Sequence, residues 1–257
     1  MVERGAYVTR ISGCITCHTR KGGQPFAGGR ALETPFGTFH APNITADAET
    51  GIGKWSDEDF VRALRHGEGV RGEQLYPVFP YTSYSRMTVE DMLAIKAYLF
   101  SLPSVRHSNV PNELRFPFSW RALMKAWKTL FFWPELKVTM PNRTPAQARG
   151  SYLVTGPGHC GECHTPRGVL GAMDASAFLK GNPAGPDGWA VPALVGPSKG
   201  NFSQWSVEEI STYLKSGEKP DFDSAQGPMK EVIEENTRFL TDEDRQAMAE
   251  FLKSLNQ

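Results

Sequence analysis

Cys14-Ile-Thr-Cys17-His18 constrains this chain more than any other stretch. Two cysteines separated by two residues and followed at once by histidine read as a c-type haem attachment site. Both thiols must reach the two vinyl groups on one edge of the porphyrin, while the adjacent imidazole turns inward to ligate iron. The pattern returns at Cys160-Gly-Glu-Cys163-His164, and the two copies use all 4 cysteines of the chain. A single CxxC leaves zinc or a redox dithiol open. Two CxxCH motifs point instead to two covalently bound haem c groups, attached at Cys14, Cys17, Cys160 and Cys163 and ligated by His18 and His164.

A chain of 257 residues suits two domains of ordinary small size, as does the wide separation of the two motifs. Its 40% hydrophobic and 22% charged content describes a globular protein, and no apolar run approaches the ~18–20 residues of a membrane span. Haem is attached to such motifs outside the bacterial cytoplasm. The expectation is therefore a periplasmic protein from which a leader or anchor has been removed, associated with a membrane through that segment or through a partner subunit. Formal charge is zero, yet residues 104–143 hold seven basic against two acidic side chains and residues 206–250 hold twelve acidic against five basic. Such asymmetry can orient a protein partner during encounter. No net basic charge or recognition motif points to nucleic acid.

The chain repeats itself. Arg4-Gly5-Ala6-Tyr7-Val8 precedes the first motif and Arg149-Gly150-Ser151-Tyr152-Leu153 the second, each opening a helix. Beyond the motifs, Trp55-Ser56-Asp57-Glu58-Asp59 and Trp205-Ser206-Val207-Glu208-Glu209 read as capping boxes followed by apolar residues at helical spacing. Two further boxes, from Thr88 to Asp91 and from Thr241 to Asp244, open the closing helices. The shared plan is helix, CxxCH, long Gly/Pro-rich wrap, helix, ligand loop, terminal helix. It resembles the organisation of class I cytochromes c, which implies an all-α fold of two tandem domains with long loops joined by an aromatic-rich linker helix. The expected boundaries are 1–102 and 144–257 for the domains and 103–143 for the linker. A domain of that size with long loops has a thin aliphatic core, so the apoprotein should be poorly folded.

In the linker, Pro103, Pro111, Pro117, Pro134 and Pro141 punctuate a segment whose middle carries Trp120, Leu123, Met124, Trp127, Leu130, Phe131, Phe132 and Trp133, interleaved with Arg121, Lys125 and Lys128. This reads as an amphipathic helix with an aromatic stripe. Either the stripe packs in the cleft between the lobes, or residues 118–133 dock on a partner subunit or a membrane surface.

The sixth iron ligand decides the chemistry, because methionine opposite histidine gives an electron-transfer haem and a vacant position invites catalysis. In the second lobe the candidate is Met229, in a loop ahead of the terminal helix. Met248 fits the core of that helix better, and Met173 follows the motif too soon. In the first lobe the loop reads Tyr76-Pro77-Val78-Phe79-Pro80-Tyr81. That loop resembles the cytochrome c subunits of membrane-associated, quinoprotein-type alcohol dehydrogenases and related periplasmic dehydrogenases. So do Pro35-Phe36-Gly37-Thr38, Pro42-Asn43-Ile44-Thr45, Gly51-Ile52-Gly53-Lys54-Trp55, Phe116-Pro117-Phe118 and Gly158-His159 through Arg167. The resemblance implies a carrier of electrons from a dehydrogenase towards quinone, a cytochrome or a terminal oxidase. Family members usually carry three haems, and this chain has motifs for two. Some have methionine where this chain has Phe79. Met87 is then the candidate ligand, with His66 and an open or water-filled position as alternatives.

Haem propionates need donors when partly buried, and Thr38, Asn43, Trp55, Arg167 and Trp205 are the candidates in the wrapping loops. Packing competes for each tryptophan, and Asn43 can equally cap a turn. His40, His107 and His159 read as surface or structural residues, although His159 adjoins its motif. The expected function is a dihaem electron-transfer protein or subunit; the alternative is a dihaem enzyme, peroxidase-like or thiosulfate-oxidising, with an open first haem. No acid/base constellation supports that alternative.

Overall fold

Gly5 and Gly150 decide how each half of the chain closes. A Cβ added to Gly5 would lie 1.9 Å from the carbonyl oxygen of Ala94 and one added to Gly150 1.9 Å from that of Ala247. The two helices that precede the CxxCH motifs, α1 (Val2–Ile11) and α7 (Pro145–Thr155), therefore press backbone to backbone on α5 (Val89–Ser101) and α11 (Asp242–Ser254). Arginines beside the glycines add the same ion pair twice, Arg4 to Asp91 at 2.6 Å and Arg149 to Asp244 at 2.7 Å. With both arginines partly in solvent, each pair contributes no more than about 1 kcal/mol.

These contacts belong to a computed structural model that describes residues 1–134, 143–196 and 202–256. The end of the expected linker, with Glu135, Lys137 and Pro141, lies outside the described residues. The chain divides into two compact units, Met1–Leu136 and Lys137–Gln257. No helix among the described residues is long and apolar enough to cross a membrane.

The unit plan follows local rules. Ser56 and Ser206 each complete a reciprocal capping box, with Asp59 and Glu209, opening α3 (Asp57–His66) and α9 (Val207–Ser216). Gly67 and Gly217 end those helices at φ 60° and 79°. Thr88 and Thr241 cap α5 and α11 by accepting from the amides of Asp91 and Asp244, whose carboxylates accept from Arg4 and Arg149. Inward faces bury as the spacing dictates: Phe60, Leu64, Met92, Ile95 and Leu99 in the first unit, and Ile210, Leu214, Met248, Phe251 and Leu252 in the second. Each such side chain contributes roughly 1.5–3 kcal/mol on burial.

An all-α description misses one feature. β1 (Ala31–Thr34), β2 (Gly37–His40) and β3 (Glu113–Leu114) form an antiparallel sheet in that order, with Thr34 opposite Gly37 and Thr38 opposite Glu113. Strands of four, four and two residues are too short to show alternation, and β3 comes from the segment read as a linker. That segment is fastened onto the first unit. The Asn109 side chain accepts from the Asn43 amide at 2.7 Å, Asn112 accepts from the His40 amide at 2.9 Å, and Val105 and His107 donate to the hydroxyls of Thr45 and Thr50.

Asn43 is the knot. Its amide hydrogens go to Thr50 Oγ1 and Val105 O, and its Oδ1 accepts from the Thr45 amide and hydroxyl, all with the residue 2% exposed. Both donors are spent, so Asn43 ties the wrap together instead of binding a propionate. Asn43→Ala strands several buried polar groups, and urea titration of the holoprotein should show a loss of roughly 2 kcal/mol in the first unit.

Candidate haem sites

The first motif occupies a helix of its own, α2 (Cys14–His18), and the second runs into α8 (Gly161–His164). One helical turn puts the two cysteines of each pair on a common face. None of the four is in a disulfide, and all are half-buried. Burial first, and then the facing partner sulfur, pushes the Cys14 and Cys160 thiols up to about 12. No cluster of three or more His, Cys, Asp or Glu able to hold a metal ion occurs among the described residues.

His18 Nδ1 donates to the Pro42 carbonyl at 2.7 Å and His164 Nδ1 to the Pro192 carbonyl at 2.8 Å. A carbonyl can only accept, so each Nδ1 carries the proton and each Nε2 the lone pair. Burial holds both imidazoles below the ordinary histidine range, with the carbonyl bond opposing. Neutral imidazole with an oriented Nε2 is the ligating form.

The frame that places the proline carbonyls is also duplicated. Thr19 and Thr165, directly after the histidines, accept from the amides of Phe26 and Leu179 at 3.0 and 3.1 Å. Gly28 and Gly181 then donate to the carbonyls of His18 and His164 at 2.7 and 2.8 Å. A Cβ on Gly28 would lie 2.5 Å from the Pro42 carbonyl carbon, and one on Gly181 2.9 Å from the Ala193 nitrogen. An arginine ties each motif from a different loop: Arg30 Nη1 donates to Thr16 O at 2.7 Å, and Arg167 Nη2 to Glu162 O at 3.0 Å. Thr16 and Glu162 are the same position of the two motifs. Arg167 also donates to the Glu162 carboxylate and to Gly171 O, which makes it a brace of the motif.

Met87 is 1% exposed and shares a core cluster with Ile52, Phe60, Leu64 and Tyr84; Cys14, Ile15, Trp55 and Phe79 pack against the same cluster. Arg65 Nη2 donates to the Met87 carbonyl at 2.8 Å, and Tyr84 OH to Ser12 O at 2.5 Å. His66 is exposed at the end of α3 and so sits poorly for a buried iron. Thr38 is a rung of the sheet opposite Glu33 and Glu113.

In the second unit, a cavity of about 340 Å³ is lined by Pro192, Leu194, Phe202, Trp205, Tyr213 and Lys219 among others. Pro192 is the residue that holds His164, so the cavity adjoins the motif. Trp205 packs on Phe202 and Tyr213 at ring distances of 5.1 and 5.3 Å, an apolar wall with two polar tips. Burial, and then Asp223, pushes the Tyr213 phenol up to about 12, which keeps it a donor. Tyr213 shares the helical apolar spacing of Ile210 and Leu214, and nothing in that spacing marks it as a donor. Met229 is half-buried in the first turn of α10 (Gly227–Glu235), a helix where a loop was expected, and does not line the cavity.

The cytochrome c family profile matches residues 2–103 and 147–256, once over each unit. The chain belongs to the cytochrome c family. It is 40% identical over 264 residues to the gluconate 2-dehydrogenase cytochrome c subunit of Pantoea cypripedii, covering 99% of this chain and 59% of that protein. It is 41% identical over 263 residues to the cytochrome c subunit of the quinone alcohol dehydrogenase of Gluconacetobacter polyoxogenes, covering 99% and 56%. A diheme cytochrome c-type protein of Cereibacter sphaeroides is 42% identical over 256 residues, covering 98% of this chain and 84% of that one. The chain thus spans a little over half the length of the first two relatives. As a cytochrome c it binds haem c, and the paired cysteines, the oriented imidazoles and the mostly apolar cavity beside His164 fit that group.

Proposed function

We propose that this cytochrome c carries two covalently bound haems and passes single electrons from a dehydrogenase partner towards the respiratory chain on the periplasmic side of the membrane. The observation that carries the reading is the duplicated histidine geometry, His18 on Pro42 and His164 on Pro192, beside four cysteines that form no disulfide. When bound, haem supplies a one-electron iron couple. The chain would supply the rest: Cys14, Cys17, Cys160 and Cys163 would attach the two groups, His18, His164, Met87 and Met229 would ligate their irons, and Trp55, Trp205 and Tyr213 would wall the pockets.

The dehydrogenase partner is drawn from the names of the relatives. Its docking surface is the outward side of the 118–133 segment, where Trp120, Leu130 and Trp133 are 61%, 59% and 58% exposed beside Arg121 and Lys125. The second reading, an enzyme with an open first haem, draws on Phe79. Counted from the helix-ending Gly67 and Gly217, Phe79 stands where the second unit has Met229.

Stopped-flow mixing of the ferric holoprotein with a reduced quinoprotein alcohol dehydrogenase separates the two. The carrier reading expects both haems to be reduced and no turnover of peroxide or thiosulfate. Steady turnover of either substrate, or no reduction by the dehydrogenase, overturns it.

A further inference from the structure

We infer that residues 118–132 are a positioning strap for the distal loop of the first haem, setting the ligation and potential of that haem alone. The inference rests on the reading that Met87 ligates the first iron. It starts from Lys128 on α6 (Leu123–Phe131), a lysine only 9% exposed. Its Nζ donates to the carbonyls of His66 at 2.5 Å and Gly67 at 2.7 Å, and lies 4.9 Å from the centre of the Tyr81 ring. Those carbonyls close α3, where the helix dipole favours a cation and unsatisfied acceptors need donors. A buried ammonium is retained there because three kinds of partner surround it: carbonyls, an aromatic face and Glu68. Burial lowers Lys128 to about 8, with Glu68 opposing, so the charge persists at neutral pH.

The strap grips both tyrosines of the Tyr76–Tyr81 loop. At one end Tyr76 OH donates to Phe118 O at 2.9 Å, Arg121 lies 4.8 Å over the Tyr76 ring, and Arg121 Nη1 reaches Gln74 O at 2.8 Å. At the other, Phe132 meets Tyr81 edge-on at 5.0 Å, beside Lys128. From Tyr81 the four-residue helix α4 (Tyr81–Tyr84) leads three residues further to Met87. Arg65 of α3 holds the Met87 carbonyl, so the helix that Lys128 caps also grips the ligand. In the second unit Met229 sits in the nine-residue helix α10, and the loop that follows is held by Arg245, which donates to the carbonyls of Thr237, Arg238 and Leu240.

Redox titration of the holoprotein, with each haem's midpoint resolved, tests this on Lys128→Met, Lys128→Arg and Met87→Leu. Lys128→Met should shift one midpoint and weaken the methionine–iron charge-transfer band by up to half, leaving the other haem in place, and Lys128→Arg should recover most of the shift. A lowered thermal midpoint with both potentials and the band unchanged would make the strap structural only and overturn the inference. Arg121→Gln, at the exposed end, should produce a smaller shift of the same haem and keeps the test open if Lys128→Met fails to fold. The ligand reading falls separately, on a Met87→Leu protein whose two haems are unaltered.

Discussion

Gly150→Ala costs the second unit about 3 kcal/mol or more, at the top of the range for overpacked cores, and lowers its haem content. The new methyl would stand 1.9 Å from the Ala247 carbonyl oxygen and 2.8 Å from Phe251 Cβ, both parts of rigid helix and not the far end of a flexible side chain. Relief requires α7 and α11 to part by more than an ångström, which uncovers the Leu153, Phe251 and Leu252 faces they bury together. Against the 5–15 kcal/mol typical of a whole domain, that is a large fraction. Gly5→Ala should do the same to the first unit, through the Ala94 carbonyl at 1.9 Å. Gly22→Ala is the control. Its φ of 71° strains an alanine, yet nothing lies within 4 Å of the added atom, so about 1 kcal/mol is expected. Urea unfolding followed at each haem compares the three, and a Gly150→Ala protein as mild as Gly22→Ala refutes the backbone-contact account.

What was legible in the chain is what short-range chemistry writes. CxxCH needs its residues adjacent, a capping box spans four positions, and an apolar helix face repeats every three or four; all three are visible to the eye and appear twice. Gly5 and Gly150 were visible as repeated letters, but what each glycine must avoid comes from a helix about ninety positions away. The proline carbonyls that orient His18 and His164 are backbone atoms at different spacings from the motifs, 24 and 28 residues on, so the repeat hides them. Arg30 and Arg167 reach the same motif position from unrelated loops, which no alignment of the two halves would pair. Asn43 looked like a propionate donor because a loop asparagine has free amide hydrogens in sequence; in the fold Thr50 and Val105 take both. Helix α6 runs through only Leu123–Phe131 of the aromatic stripe, and its buried side turns on Lys128, a charged residue that pattern counting assigns to solvent.

Met87→Leu and Met229→Leu should each remove about half of the methionine–iron charge-transfer intensity and lower one midpoint potential, a sizeable part of the roughly 0.8 V that axial ligands span. Leucine keeps the volume and deletes the sulfur, which matters most at Met87. There the side chain is 1% exposed, and alanine would add a cavity cost of about 2–5 kcal/mol that obscures the spectroscopic effect. Met229 is half-buried, so its leucine variant should be nearly as stable as the parent. The two substitutions are not equivalent within the duplicated plan. Counted back from Thr88 and Thr241, Met87 corresponds to Leu240, a core residue, whereas Met229 corresponds to Phe79 only when both are counted forward from Gly217 and Gly67. If both methionines ligate, the two units have filled one iron position from opposite ends of the same loop, although an arginine holds the carbonyl at the shared position in each, Arg65 on Met87 and Arg245 on Leu240. If Met229→Leu changes its haem and Met87→Leu changes neither, Met87 is core like Leu240. The first iron then faces Phe79 with no sulfur ligand, and the dihaem-enzyme reading gains the open position it requires.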